Sequence, residues 1–298
     1  MATIYTHRSS NIAKTWLLMA IFFAGIIAIG FVVSQIYNSP GILYGAVALS
    51  FFMNFFSYWF SDKVALSLSG AKPASKDEFA EFHNIAENLA ITAGLPKPNL
   101  YIIPDAAPNA FATGRNKEHA SVAVTAGLLS MLDRKELEGV IAHELAHIGN
   151  RDILLQTIVV TLVGMVSILA DLFTRSLFFG GRSDNQQHNP IMYIIGIVFL
   201  ILSPFAAIII QLAISRRREY LADATGALLT RYPEGLASAL GKISSYALPL
   251  KSVHNSTAHL FISDPYGKKR GAGQFIAGLF ATHPPAEERI KRLREMAL

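Results

Sequence analysis

Apolar side chains cover every face of several long stretches of the chain. Between residues 15 and 61 there is no Asp, Glu, Lys, Arg or His. A helix needs about 20 apolar residues to cross a bilayer, so this stretch predicts two spans, at residues 16–36 and 42–60, with Pro40-Gly41 at the turn. Further spans are predicted at residues 153–173 and 191–214, the last kinked at Ser203-Pro204.

A buried core helix is the alternative for each span. For residues 153–173 it is favoured by Gln156, Thr157 and Asp171, because a carboxylate inside a bilayer is costly. Composition favours the membrane, since 52% of the 298 residues are hydrophobic and 16% are charged, against about 25% charged in soluble domains. We therefore expect an α-helical membrane protein with about four transmembrane helices.

The distribution of Lys and Arg predicts the orientation of the chain. Basic residues flank the predicted spans on the side of both termini and of residues 61–152. Both termini and that segment are therefore expected to be cytoplasmic. The first apolar run is too long for a cleaved signal peptide and is interpreted as an uncleaved anchor. The net charge of +5 is too diffuse to indicate nucleic-acid binding. The absence of cysteine excludes disulfides and thiolate metal ligands.

The polar segments predict a small α+β unit made of two parts. Short β-like runs at residues 100–103, 110–113 and 121–125 indicate a meander, whose edge strand could pair with an extended peptide. Asp133 and Glu136 are spaced to cap the following helix. The chain ends in a short basic helix, which we expect to be solvated and packed through Ile290 and Leu293.

Two histidines in that capped helix lie four residues apart in the sequence HELAH. In a helix, positions i and i+4 share a face, so His143 and His147 can bind one metal ion. Glu144 lies about 100° around the helix from His143, where it can contact an activated water. This is the H-E-x-x-H signature of zinc metalloproteases. The alternative is a pair of ordinary histidines on a helix.

A catalytic zinc site has three protein ligands and one open position. Without cysteine, the third ligand must be His, Asp or Glu, and Glu219 in RRREYLADA is the best placed because its helix leaves the membrane beside the HELAH helix. Asp223 lies four residues later on the same face and could accept the free N–H of a ligating imidazole. A surface ion pair between Glu219 and a neighbouring arginine is the alternative.

The order of four motifs resembles the M48 metallopeptidases, and within them the bacterial membrane-bound heat-shock proteases. PNAFATG (residues 108–114), HELAH, RRREYLAD (residues 216–223) and THPPAEERI (residues 282–290) carry the resemblance. It implies a zincin-like (gluzincin) catalytic domain binding one Zn²⁺ per chain. The resemblance implies that His143, His147 and Glu219 are the zinc ligands and that Glu144 is the general base. It also implies that Asp223 supports a ligand histidine, that Asn109 binds the substrate and that His283 is an electrophile. His283 has an alternative as a helix-entry residue before Pro284.

The implied organisation has four parts. Residues 1–60 and 153–214 would form two transmembrane hairpins, and residues 61–152 and 215–298 would form the two cytoplasmic parts of the peptidase. The implied activity is hydrolysis of misfolded or damaged membrane proteins during heat or envelope stress, alongside other membrane proteases. Processing of lipidated C-termini is one alternative. A transporter or scaffold with a structural metal is another, and it would draw on Asp171 and the kinked fourth span.

Overall fold

The computed structural model describes residues 4–179, 216–251, 254, 256–266 and 284–296. Side chains are described from residue 11 onward, and those of residues 166–179 are not among them. The predicted fourth span, with Ser203-Pro204, and His283 lie outside these residues.

The first two helices form the predicted apolar hairpin. Helix α1 (Ile4–Ile36) and helix α2 (Pro40–Leu68) are joined by a turn in which Asn38 has a φ of 48°. Both are long and apolar enough to cross a membrane. Large apolar side chains such as Tyr44 and Phe51 face outward, at 73% and 67% exposure, as expected for contact with lipid. The two predicted N-terminal spans are therefore confirmed as membrane-spanning candidates.

A four-stranded mixed sheet follows, and it is not the predicted meander. Its strands are β1 (Lys72–Pro73), β2 (Asn99–Ile103), β3 (Ala110–Gly114) and β4 (Ala120–Thr125), in the spatial order β1-β2-β4-β3. Strands β2 and β4 are parallel, and β3 lies at the edge, antiparallel to β4. A meander would need β3 beside β2.

The connection between β2 and β3 explains the strand order. Asp105 stabilises this connection by accepting hydrogen bonds from the backbone N–H groups of Ala107 (2.9 Å) and Lys251 (2.7 Å). Residues 104–109 therefore pass the end of the sheet instead of making a tight hairpin. The hairpin forms one step later, between β3 and β4, with Gly114 at a φ of 143° where an added Cβ would lie 2.3 Å from the His119 carbonyl oxygen.

Two helices meet at a sharp bend beside the sheet. Helix α3 (Ala80–Thr92) packs on helix α5 (Arg134–Gly149), and helix α4 (Ala126–Met131) precedes α5 in the chain. Helix α6 (Asp152–Phe179) follows α5 at an angle of 85°. Arg151 at the bend has a φ of 58°. The start of α6 is buried within the protein, and its Thr157 hydroxyl lies 2.9 Å from that of Thr113 on β3. The polar residues near the start of the predicted third span thus face protein.

Two C-terminal helices pack on α5, and a third packs against those two. They are α7 (Arg216–Thr230), α8 (Pro233–Ser245) and α9 (Ala286–Arg294). Glycines permit close approach, because an added Cβ at Gly226 of α7 would lie 2.9 Å from the backbone nitrogen of His143, and one at Gly139 would lie 2.6 Å from that of Leu236. The helices and the sheet share one hydrophobic core.

Candidate metal centre

Helix α5 presents both histidines of HELAH on its buried face. Its N-terminus carries the predicted cap, since the Asp133 side chain accepts from the backbone N–H of Glu136 (3.0 Å) and the Glu136 carboxylate accepts from that of Asp133 (2.9 Å). The cap sets where the helix begins, and His143 and His147 then lie one turn apart. Their exposed fractions are 1% and 4%.

The structure brings Glu219 of α7 to these two histidines. The Nε2 atoms of His143 and His147 lie 3.1 Å apart. The Glu219 oxygens lie 3.8 Å from the His143 Nε2 and 3.6 Å from the His147 Nε2. Zinc ligands at about 2.0–2.1 Å in a tetrahedral site are separated by about 3.3 Å. The three groups, all buried, therefore fit a metal ion of this size.

The outer ring nitrogen of His147, Nδ1, contacts a residue that the sequence patterns did not indicate. This nitrogen lies 2.9 Å from Oδ2 of Asp152, the first residue of α6. The other oxygen of Asp152 accepts from Nδ2 of Asn11 (2.5 Å) on helix α1, and the same nitrogen donates to the Asn150 carbonyl (3.3 Å). The Arg218 guanidinium lies 3.7 Å from that oxygen. A carboxylate on the outer nitrogen of a ligating imidazole fixes its tautomer and orientation.

His143 is supported by the carboxylate that the i+4 spacing predicted, and by an unexpected arginine. Its Nδ1 lies 3.0 Å from Oδ1 of Asp223, although the ring N–H is not aligned for a hydrogen bond. Arg289 of α9 is 1% exposed and donates to both oxygens of Asp223 (2.9 and 2.7 Å) and to the Ile262 carbonyl (3.1 Å). Burial alone would raise the pKa of Asp223, but the charge of Arg289 lowers it to about 2.

The two histidines differ in their affinity for protons. Burial lowers the pKa of His143 to about 4, although Asp223 opposes this. Burial also acts to lower the pKa of His147, but the hydrogen bond to Asp152 and the charge of Glu219 raise it to about 9. Because a metal ligand must be a neutral imidazole, an incoming cation would displace a proton from His147 at neutral pH.

Glu144 lies beside this cluster, against the edge strand. It is 2% exposed, and its carboxylate interacts with the backbone N–H of Ala112 on β3. Burial, aided by the charge of Glu219, raises the pKa of Glu144 to about 7. A buried carboxylate next to three groups that fit a metal is the arrangement that water-activating sites use.

Asn109 precedes β3 and uses its side chain within the protein. Its Oδ1 accepts from the backbone N–H groups of Ala110 (3.1 Å) and Ser263 (3.3 Å), and its Nδ2 donates to the Ser263 carbonyl (3.0 Å). The side chain thereby links the start of the edge strand to residues 261–263.

The sequence motifs do not indicate a role for Asp152, Asn11 or Arg289 at this site. A signal existed for one of them, because Arg289 lies four residues before Leu293 and therefore on the same face of the last helix. The closing helix packs through Leu293 and Ile290 as predicted, and the burial of Arg289 on it was not predicted.

Comparisons with known proteins show a family and several relatives. The family model described as peptidase family M48 matches residues 76–297. A protease HtpX homolog from Thermoanaerobacter pseudethanolicus is 48% identical over 304 residues, which covers 99% of each chain. The HtpX homolog of Pyrococcus furiosus is 48% identical over 287 residues, 96% of each chain. The crystal structure of S. mikatae Ste24p resembles 97% of this chain and 67% of that one, with a TM-score of 0.49 and 17% identity.

Proposed function

Because this chain belongs to peptidase family M48, we propose that it is a zinc-dependent endopeptidase that cleaves misfolded or damaged membrane proteins at the cytoplasmic face. The family and the two apolar helices make it a membrane metalloprotease. The proposal adds four points to this: that the metal is zinc, that the substrates are misfolded or damaged membrane proteins, that the site is on the cytoplasmic face, and that the protein acts in heat or envelope stress.

The observation that carries the proposal is the buried triad on two separate elements. The ligand atoms of His143, His147 and Glu219 all lie within 4.8 Å of one another. Burying a carboxylate and two imidazoles together is costly, and a cation bound between them would offset part of that cost. Two neutral imidazoles and one carboxylate suit Zn²⁺ and leave a fourth position for a reactant.

The remaining residues have distinct roles in this proposal. When bound, the zinc ion would act as a Lewis acid toward water and the peptide carbonyl. Glu144 takes a proton from the attacking water and later returns it to the departing amine. As the family resemblance implies, we assign His283 the role of electrophile toward the reacting carbonyl and Asn109 that of contacting the substrate backbone. Asp223 orients the imidazole of His143.

The surroundings of the site support a membrane-protein substrate. The helix that bears HELAH ends at Gly149, and the apolar helix α6 begins at Asp152. Asn11, five residues before the first predicted span, contacts this junction. Polypeptide emerging from a bilayer would therefore meet the site near the membrane surface. Strand β3 is the edge strand beside Glu144, but its Ala110 carbonyl accepts from the Ile262 N–H, so a substrate segment would have to displace residues 261–263 to add to it.

A reconstitution experiment tests the function. The full chain is purified in detergent with a chelator, and cleavage of an unfolded membrane protein is measured before and after Zn²⁺ is added back. We expect cleavage only with metal, and Glu144→Gln should reduce it by at least about a hundredfold while zinc stays bound. Glu138→Gln, on the same helix and paired with Arg134 at the surface, is the matched control and should cleave normally.

The outcomes separate the alternatives. A Glu144→Gln variant with full activity would favour a transporter or scaffold with a structural metal. Cleavage restricted to lipidated C-terminal peptides would favour a processing enzyme. Glu219→Ala should lower the zinc content sharply, and unchanged stoichiometry would place the third ligand elsewhere. A reporter fused after Leu298 tests the orientation, and an extracytoplasmic signal would contradict the cytoplasmic site.

A further inference from the structure

The first membrane helix reaches the metal centre through one side chain. Asn11 lies near the start of α1, is 4% exposed, and contacts both sides of the bend between α5 and α6. Its Nδ2 lies 2.5 Å from Oδ1 of Asp152, which begins α6, and 3.3 Å from the carbonyl of Asn150, the C-cap residue of α5. The carbonyls at a helix end lack partners within the helix, so this contact satisfies one of them.

Asp152 transmits this contact to a candidate metal ligand. It is fully buried, and its second oxygen, Oδ2, lies 2.9 Å from Nδ1 of His147. One carboxylate thus binds Asn11 on one oxygen and His147 on the other. Arg218 lies 3.7 Å from Oδ1, which is too far for a hydrogen bond. Among the described residues, the hydrogen bond that orients the carboxylate therefore comes from Asn11.

The bend between α5 and α6 determines where the Asp152 carboxylate points. Helices α5 and α6 meet at 85°, and Arg151 between them adopts a φ of 58°, a conformation that costs free energy for a residue other than glycine. The direction in which Asp152 points therefore depends on how the bend is held. Asn11 binds the last residue before Arg151 and the first after it.

We propose that Asn11 is a positioning residue of the metal centre, which acts through Asp152 to fix the orientation and tautomer of His147. The centre reaches its full affinity for metal only when α1 is docked against the bend. The inference rests on the proposed function, because it assumes that His147 binds the metal. It adds that an element of the membrane hairpin sets the properties of the site.

A donor–acceptor exchange between the two side chains tests this directly. Asn11→Asp places two acceptors face to face. Asp152→Asn leaves one acceptor oxygen for two donors, so its amide nitrogen must face either Asn11 or the His147 N–H. In the double variant, the amide at position 152 can donate to the carboxylate at position 11 while its carbonyl oxygen accepts from His147. We expect each single variant to weaken zinc binding about tenfold. The double variant should bind zinc more tightly than either single variant, but not fully, because a carboxylate at position 11 cannot donate to the Asn150 carbonyl.

The measurement is the zinc dissociation constant of the detergent-purified full chain, obtained by competition with a chelating dye. Thermal unfolding in excess chelator, for every variant, shows that the chain is folded before zinc is added. Ser34→Ala is the matched control, because Ser34 is equally buried on the same helix and bonds only the Phe31 carbonyl. It should leave zinc affinity unchanged.

Two results would overturn the inference. One is an Asn11→Asp variant that unfolds at a lower temperature but binds zinc like the unmodified chain, which would make Asn11 a packing residue alone. The other is a double variant whose loss equals the product of the single losses, since groups that do not interact give additive free energies. If the unmodified chain itself binds no zinc, the proposed function fails first, so the two failures are distinguishable.

Discussion

Arg289 is the side chain whose removal should most disturb the C-terminal helices. It is buried to 1% exposure and makes two hydrogen bonds to Asp223 and one to the Ile262 carbonyl. Arg289→Met keeps most of the side-chain volume but leaves the Asp223 carboxylate, 4% exposed, without its cation. Breaking a buried pair from one side costs about 3–5 kcal/mol in the free energy of unfolding.

That cost is large enough to measure by thermal unfolding. One kcal/mol lowers the midpoint by about 2–4 °C in a domain of about 150–250 residues, so Arg289→Met should lower it by about 6–20 °C. The assay is circular dichroism of the detergent-purified chain in excess chelator, which removes any contribution from metal binding. Lys291→Met, on the same helix with a side chain 75% exposed, is the control and should not shift the midpoint.

A double variant separates the pair from simple loss of packing. Asp223→Asn combined with Arg289→Met removes both charges, and replacement of a whole buried ion pair is far less destabilising than removal of one partner. The double variant should therefore unfold at a higher temperature than Arg289→Met alone. If Arg289→Met unfolds within about 2 °C of the unmodified chain, or if the double variant is less stable than the single, the buried pair does not contribute as argued.

Three further predictions concern close packing and metal. The Gly226→Ala variant should lose most of its zinc, because the new Cβ would lie 2.9 Å from the backbone nitrogen of His143 and displace α7. The control Gly241→Ala, where the nearest atom is 4.0 Å away, should keep its zinc. Equal zinc content in the two variants would contradict the reasoning. Gly139→Ala should lower the free energy of unfolding by about 1–3 kcal/mol, because its Cβ would lie 2.6 Å from the Leu236 nitrogen; denaturant unfolding checks this, and an unchanged midpoint would refute it. At a free metal concentration of about a hundred times the dissociation constant, binding contributes about 2.7 kcal/mol to stability. Adding chelator should therefore lower the thermal midpoint by about 5–10 °C. Identical scans with and without chelator would show that no metal stabilises the fold.

Features encoded by neighbouring residues were predicted correctly. The two N-terminal spans follow from length and composition, and the start of α5 follows from the Asp133–Glu136 cap. The helical repeat then places His143 and His147 on one face without any knowledge of the tertiary fold. Strand positions were also found, because β2, β3 and β4 overlap the three predicted runs.

The order of the strands depends on contacts that no local pattern records. Strands β2 and β4 pair in parallel, and the segment that leaves β2 is tied to a distant part of the chain by Asp105, whose carboxylate accepts from the backbone N–H of Lys251. An aspartate in a loop is typical of turns, so nothing nearby distinguishes this residue from one in a tight hairpin. A meander is the simplest arrangement of consecutive strands, and it was wrong here because a distant segment stabilises a different path.

The residues that contact the outer nitrogens of His143 and His147 are also brought there by long-range contacts that local patterns do not record. Arg289 is an exception. Asn11 and Asp152 meet across 141 positions, and a polar residue just before an apolar helix ordinarily marks the membrane surface, so the pattern gives no reason to pair them. Arg289 is different, because its position four residues before Leu293 places it on the buried face of a short helix. A buried arginine requires a carboxylate, and Asp223 was already a candidate to support His143. The helical repeat therefore contained enough information to assign Arg289 to the site.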